Sequence, residues 1–364
     1  MATAAIEKAF SPPQVSDLHR TRDERHELAL KIQTRIRKAK TTRDKVGKNW
    51  EEFRLKAVHV STILLVPIQA LRDGGWLDYK LLFDVLLGRL EQMASLLKDY
   101  FTELRDIDDD SKFESPGTIQ SVSEKERCCK RADNKCLFTG MAQGEVAHIL
   151  PFAWNDTEGA GKTTRAVIGA LYTFFSDDLI TELHGLVADP ADPGSSDKWW
   201  NMIYMNAQLH TLWGTAGFGL YCSDLQPHID PGKAENVDTE YEWDITVQFH
   251  WLQHRDAKPT DRIVLEGNDN EFIMMADDQI KFEKARSEPS NNSQGNSHID
   301  AMVMDIRATV ISGNEFTLTM PKDDAFKCKK MLDVQWHIAR IAAMCGAAEH
   351  PELLPDLPDY YYWN

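Results

Sequence analysis

The sequence predicts an α+β protein with an N-terminal helical region, a mixed central region and a C-terminal region of strands closed by a helix. Three patterns support this class. Apolar residues recur at three- and four-residue spacing over 77–101, which is typical of a helix that buries one face. Apolar and polar residues alternate over 241–249, which is typical of a half-buried strand. The helical period returns over 327–350 and predicts a final amphipathic helix.

The N-terminal region, residues 1–105, is expected to form a long helical hairpin. Strong helix formers fill residues 20–56, and Pro67 and the turn at 73–75 separate this stretch from the second helix. Packing alone can explain a hairpin of this kind, so the pattern does not indicate a catalytic role. It is a packing element and a candidate surface for a homodimer.

The rest of the chain divides by composition. Residues 106–124 are acidic and rich in Ser, Pro and Gly, which is typical of a linker. We expect a domain with the candidate motifs at 125–225 and an α+β extension of it at 226–350. Residues 351–364 form an aromatic tail for which the sequence suggests no role.

Charge is unevenly spread. The chain has a net charge of −16, which counts against nonspecific nucleic-acid binding by its whole surface. Residues 20–56 carry thirteen Lys and Arg against six Asp and Glu, a net charge of +7, so the remainder carries −23. This segment is either a contact surface for DNA or RNA or a helix docked on the acidic body.

The cysteine content and the hydropathy of the sequence indicate the cellular compartment of the protein. The six Cys include no C-x-x-C pair, so neither a disulfide framework nor a structural zinc is expected. The longest apolar stretch, 57–71, is interrupted by polar residues and is too short to span a bilayer. Residues 1–14 lack the pattern of a secretory signal. An intracellular protein, cytoplasmic or nuclear, with no membrane partner is therefore expected.

Two short stretches contain the residues with candidate chemistry. The first reads C-L-F-T-G at 136–140 and E-V-A-H-I-L-P-F at 145–152. The turn at 140–144 predicts a hairpin whose second strand ends on His148. A single His before a Pro is usually structural, so His148 alone indicates little.

The second stretch, residues 199–213, holds Asn201 and His210 nine positions apart. Met205, Leu209 and Leu212 form an apolar stripe at helical spacing, which predicts a helix carrying His210 after a loop. Taken alone, Asn201 is as well explained as a helix cap, and His210 as a core residue.

Together these stretches resemble the HNH motif of a fungal HNH-endonuclease family. The pattern is A-H-I-x-P-F, then an Asn, then a His nine residues later in L-H-x-x-W. Flanking stretches, including V-Q-F-H-W-L at 247–252 and V-Q-W at 334–336, are similar to patterns around that motif. The similarity covers roughly residues 124–350.

The resemblance implies a ββα-metal core, with insertions, that grips one divalent cation between a hairpin and a helix. In that reading His148 is the general base that activates water, and His210 is the metal ligand on the helix. Asn201 bonds the loop backbone and orients His148. The cation would be Mg²⁺ or Mn²⁺, and the substrate DNA or RNA.

The motif departs from many HNH enzymes at one position. Many hold an Asp or His metal ligand directly before the general base, and here that position is Ala147. Glu145 lies on the same strand face as Ala147 and is a candidate replacement, as is His148 itself. Weaker donors in the insertion between His148 and Asn201 are Asp156, Glu158 and His184.

Three functions therefore remain open. The first is a metal-dependent HNH endonuclease that hydrolyses phosphodiester bonds. The second is an enzyme of another class that uses His148 and a reshaped pocket on a small molecule. The net acidity, the missing carboxylate and the Trp-rich surroundings (Trp154, Trp199, Trp200 and Trp213) leave this function open. The third is a noncatalytic interaction protein. A fold alone does not decide between them.

Overall fold

The computed structural model describes residues 15–43, 53–106, 120–228, 242–287, 301–303 and 308–357, and these form an α+β fold. Its helices are α1 (Val15–Arg43), α2 (Ala57–Leu65), α3 (Ile68–Leu71), α4 (Phe83–Asp106), α5 (Val122–Arg131), α6 (Glu158–Ile168), α7 (Asp177–Val187), α8 (Ala207–Gly214), α9 (Glu271–Ser287) and α10 (Lys322–Cys345). Its strands are β1 (Glu145–His148), β2 (Met202–Met205), β3 (Phe218–Pro227), β4 (Glu242–Trp251), β5 (Met302–Val303), β6 (Ala308–Thr309) and β7 (Glu315–Pro321). The predicted fold class is confirmed at this level. The predicted linker and tail fall largely on 107–119 and 358–364, outside the described residues.

The N-terminal region is helical, as predicted, but the first long helix of the expected hairpin is divided. α1 ends at Arg43 and α2 begins at Ala57. Just before α2 the chain is extended, and the backbone oxygen of Leu55 accepts a hydrogen bond from Ile263. The segment pairs with a distant part of the chain and is therefore not helical. Its residues have a high intrinsic helix propensity, but tertiary contacts override that propensity.

α2 is central to the molecule. All nine of its residues are buried, and it packs against α1, α4 and α10. The chain continues through Pro67 into the short α3, and the turn predicted at 73–75 follows, with Gly74 at φ 77°. The N-terminal helices therefore share one hydrophobic core with the C-terminal helix.

A three-stranded antiparallel sheet, in the order β3–β4–β7, forms the C-terminal layer. The alternation predicted for β4 and β7 is confirmed, because Ile245, Val247 and Phe249 are buried and β4 pairs with Leu318 and its neighbours in β7. β3 and α9 were not predicted. The strand pairs β1–β2 and β5–β6 are two further small antiparallel sheets.

The predicted final helix is confirmed as α10, with shifted ends. It begins directly after Pro321 and ends at Gly346, whose φ of 70° is left-handed. A Cβ atom at Gly346 would lie 1.9 Å from the backbone oxygen of Ala257, so the helix end requires glycine. α10 packs against β3, α2 and the turn at Trp199–Asn201.

The hairpin predicted around 140–144 is wrong in its pairing. The strand that ends on His148 is present as β1, but its antiparallel partner is β2, where His148 faces Met202. Residues 149–201 lie between the two strands and contain α6 and α7. Long-range pairing of this kind leaves no local turn signal.

α8 follows β2 directly and completes the order β1–β2–α8. Met205, which the sequence assigned to the helical stripe, is the last residue of β2. Asn206 caps α8, its side chain accepting a hydrogen bond from the Leu209 backbone N–H. Within the described residues, no helix combines the length and apolar character needed to cross a bilayer.

Candidate active site

His148 is the last residue of β1 and is nearly enclosed, with 2% of its side chain exposed. Its backbone oxygen accepts a hydrogen bond of 3.1 Å from the indole nitrogen of Trp213 on α8. The Phe152 ring lies 6.0 Å from the imidazole, measured between centroids. The helix that carries His210 is thus tied directly to the backbone of His148.

The imidazole of His148 has a carboxyl partner that the sequence did not suggest. Its Nε2 lies 3.0 Å from Oδ1 of Asp197, and the Asp197 side chain is only 5% exposed. The other carboxylate oxygen accepts a hydrogen bond from the backbone N–H of Ser121, the N-cap of α5. The one available sequence signal was a carboxylate four residues before Asn201, and such residues are common in loops.

Asn201 is fully buried and bonds the backbone beside His148. Its side-chain oxygen accepts a hydrogen bond from Leu150 N–H, and its amide donates to the carbonyls of Leu150 and Ser196. Its own carbonyl accepts from Ile149 N–H. The side chain therefore joins the segment after His148 to the loop that carries Asp197.

His210 lies on α8 and is paired with Glu145 at the start of β1. His210 Nδ1 is 2.6 Å from Glu145 Oε2, and the side chains are 14% and 52% exposed, respectively. A carboxylate only accepts, so Nδ1 donates and the lone pair of a neutral ring is on Nε2. Glu145 thus orients His210 from the solvent side.

The structure places the predicted His148 and His210 in two different pairs along one short strand, and does not bring them together. His148 pairs with Asp197, and His210 pairs with Glu145, at opposite ends of β1. Side chains alternate along a strand, so Glu145 and the buried Ala147 belong to one face and His148 to the other. In the part of the chain that is described, no group of three or more His, Cys, Asp or Glu side chains is arranged to hold a metal.

The weaker predicted donors have other surroundings. Burial raises the pKa of Asp156. Glu158 forms an exposed ion pair with Lys162. His184 lies on α7, where burial and nearby Arg165 lower its pKa. Among the described contacts, none joins these three side chains to His148 or His210.

The Trp residues near the motif belong to the core. Trp154, Trp199, Trp200 and Trp213 are each at most 8% exposed. Trp199 donates its indole N–H to Asp324 on α10. These rings fill the space between the motif and its neighbours, so they pack rather than line an open pocket.

The basic N-terminal segment is partly neutralised by the rest of the chain. Arg22 pairs with Asp277 on α9 at 2.7 Å, and Lys56 with Glu91 on α4 at 2.8 Å. The Arg25 side chain is fully buried. Contacts within the chain therefore account for these three charges, and residues 44–52 lie outside the described residues.

No model of a known protein family, no curated protein and no solved structure matches this chain. The site offers a buried imidazole held by a carboxylate, an asparagine that fixes the adjoining backbone, and a second imidazole held at the surface. Such a set can accept a proton from water and can offer one nitrogen to a cation.

Proposed function

We propose that this chain is an HNH-type, metal-dependent endonuclease that hydrolyses phosphodiester bonds, with His148 as general base. The observation that carries the proposal is the β1–β2–α8 order, in which His148 ends the first strand, Asn201 precedes the second and His210 is on the helix. The Asn201 bonds to Leu150 and Ser196 support its role in orienting His148. The resemblance of the sequence to the HNH motif involves the same three residues.

The proposed cation would be Mg²⁺ or Mn²⁺, held through His210. The fixed Glu145–His210 pair supports this, because metal-binding His residues usually donate their other ring N–H to a carboxylate. The described residues do not form a closed protein cage. A cation bound here would take most of its ligands from water and phosphate, as Mg²⁺ commonly does. When bound, the cation would stabilise charge on the scissile phosphate and the leaving oxygen.

In the proposed reaction, His148 takes a proton from a water molecule. The water oxygen forms a bond to phosphorus while the bond from phosphorus to the leaving oxygen breaks, and solvent protonates the leaving group. Asn201 keeps the backbone after His148 in place during this step. General-base catalysis of this kind contributes on the order of 10²- to 10⁴-fold in rate.

Cleavage of plasmid and of single-stranded DNA and RNA tests the proposal, with Mg²⁺ or Mn²⁺ added to the purified full chain. We expect His148→Ala to lower the rate by roughly 10²- to 10⁴-fold. His350→Ala is the matched control, because His350 is a half-exposed His whose ring, among the described residues, pairs with Glu352 alone. Equal rates for wild type and His148→Ala would contradict the assignment, as would no cleavage with either cation.

Calorimetric titration with Mn²⁺ separates a base from a ligand. His210→Ala should lose cation binding, whereas His148→Ala should keep it, because in this proposal His148 accepts a proton from water and does not bind the cation. Equal loss in both variants would make His148 a ligand that replaces the carboxylate missing at Ala147.

One observation favours the second candidate, an enzyme that acts on a small molecule. The His148 side chain is only 2% exposed, so a duplex reaches it only if covering residues move. The readout is the rate with bis(4-nitrophenyl) phosphate and other small esters compared with plasmid. His148-dependent hydrolysis of small esters without plasmid cleavage would favour this candidate over the nuclease.

Nucleic-acid contact and dimerisation remain predictions. If the basic segment binds phosphate, replacing its exposed Arg54 by Gln should lower the salt dependence of binding. Light scattering of the full chain tests the predicted homodimer.

A further inference from the structure

We infer that Asp197 is a positioning residue, which holds His148 with Nε2 protonated and Nδ1 free to accept a proton. The catalytic meaning of this inference rests on the proposed function, but the hydrogen bond itself does not. Nε2 and Oδ1 are 3.0 Å apart, and both side chains are at least nine-tenths buried. Burial makes the hydrogen bond between the two groups costly to break, because each would be left without this partner.

Asp197 is itself fixed from several sides. Its backbone N–H donates to Gly194, and its second carboxylate oxygen accepts from Ser121 N–H at the start of α5. The preceding residue, Ser196, has its carbonyl bonded by Asn201. The carboxylate therefore has a set position relative to β1, and its free oxygen points at His148.

The backbone of His148 is also held by hydrogen bonds. These bonds do not fix the χ2 torsion, which sets the orientation of the imidazole ring. Trp213 bonds the His148 carbonyl, and the next residue, Ile149, bonds Asn201. The χ2 torsion of His is broad and roughly two-fold, so packing alone selects an imidazole orientation poorly. The bond to Asp197 selects one orientation.

The same bond also selects the tautomer. An ionised carboxylate has no proton to donate, so Nε2 must carry the hydrogen. In a neutral imidazole the lone pair is then on Nδ1. Among the described residues, none forms a hydrogen bond with Nδ1, so this nitrogen is the one available to a water molecule.

The first test is ¹⁵N NMR of the histidine side chains in the full wild-type chain, without metal or nucleic acid. His148→Gln identifies the signals of His148 by their disappearance. We expect Nε2 of His148 to have the shift of a protonated nitrogen and Nδ1 that of an unprotonated one at neutral pH. A protonated Nδ1 with an unprotonated Nε2 would overturn the inference without any further variant.

The second test uses two substitutions at Asp197. In Asp197→Asn the side-chain amide can donate to Nε2, so we expect the tautomer to change to Nδ1–H. In Asp197→Ala neither form is selected, and we expect averaged shifts. Asp192→Asn, at an exposed position of the same loop, is the control and should keep the wild-type pattern. An unchanged tautomer in folded Asp197→Asn would contradict the inference, and thermal melting reports whether each variant folds.

Measurements of phosphodiester cleavage then distinguish a failure of this inference from a failure of the proposed function. If the chain cleaves phosphodiesters, Asp197→Asn should lower kcat by roughly 10²- to 10⁴-fold with a small change in KM, because the wrong tautomer cannot act as base. The expected NMR pattern without any cleavage would leave the positioning role standing and remove the nuclease. Full activity in Asp197→Asn with a changed tautomer would overturn the positioning role.

Discussion

The indole nitrogen of Trp213 donates a hydrogen bond to the backbone oxygen of His148 at 3.1 Å. This bond ties α8 to the end of β1, so it fixes the helix carrying His210 against the strand carrying His148. Trp213 itself is 2% exposed. The relationship explains how a Trp three residues after His210 affects the geometry of the site.

Trp213→Phe should therefore destabilise the fold. The phenyl ring keeps an apolar contact but cannot donate, so a buried carbonyl loses a partner at a cost of roughly 1–3 kcal/mol. Urea unfolding followed by circular dichroism measures this change. The control is Trp243→Phe, because the Trp243 ring packs on Phe326 and its indole nitrogen bonds no described residue. Equal losses of unfolding free energy in the two variants would mean that the smaller ring, and not the missing hydrogen bond, causes the destabilisation.

The pair formed by Glu145 and His210 leads to a prediction about cation binding. If Glu145 orients His210, Glu145→Gln should keep most Mn²⁺ affinity, because the amide oxygen still accepts from Nδ1. Glu145→Ala should weaken binding roughly 10- to 100-fold. If Glu145 is itself a ligand, Gln and Ala should weaken binding alike. Glu158→Ala is the control, since Glu158 pairs only with exposed Lys162 among described residues.

Arg25 yields a prediction about the basic segment. Its Nη1 donates to the carbonyls of Ile63 and Val66 at the C-terminal end of α2, and it also pairs with Asp17. Burial lowers the pKa of Arg25 to about 10, which leaves it charged at neutral pH. Arg25→Met should cost roughly 2–4 kcal/mol, because the helix-end carbonyls lose their donor.

Urea unfolding again provides the measurement for Arg25→Met. Arg54→Gln is the matched control, since Arg54 is exposed and belongs to the same basic segment. We expect it to change stability by less than about 0.5 kcal/mol. Similar losses in the two variants would mean that general charge, and not the Arg25 contacts, stabilises this region.

Elements with a strong local pattern were predictable from the sequence. In β4 every second residue from Ile245 to Phe249 is buried. The alternation of apolar and polar residues within this one strand is enough to predict that buried face. β3 was missed although Phe218 and Leu220 alternate, because Gly217 and Gly219 interrupt the pattern. Gly219 has a packing reason, since a Cβ atom there would lie 3.0 Å from the Trp336 ring.

The site was predictable only in part, for a different reason. His148, Asn201 and His210 were selected by their spacing, which is a property of the chain. The pairing of β1 with β2 joins positions 54 to 60 residues apart (202 − 148 and 205 − 145), and the contact of Asp197 with His148 joins positions 49 residues apart. No local rule specifies such contacts, because they depend on how α6 and α7 fold back the intervening chain.

The last prediction concerns His337 on α10 and the stability of the whole fold at mildly acidic pH. Its ring is stacked on Phe174 with centroids 4.1 Å apart, and 8% of the residue is exposed. Burial, with added repulsion from Arg340 and Lys329, lowers its pKa from 6.5 to about 3. The folded chain therefore keeps His337 neutral where the unfolded chain protonates it.

The sign of the pH effect follows from proton binding. Above about pH 6.5 both states are neutral at this residue and it has no effect. As the pH falls from 6.5 towards 3, the unfolded state binds one more proton, so stability falls by up to roughly 1.4 kcal/mol per pH unit.

His337→Phe keeps the stacking and removes the titrating group, so between pH 7 and pH 5 it should lose less stability than wild type. Urea unfolding at each pH measures the difference, with His350→Gln, at a half-exposed position, as the control that should follow wild type. Parallel curves for wild type and His337→Phe would contradict the depressed pKa and the buried neutral imidazole.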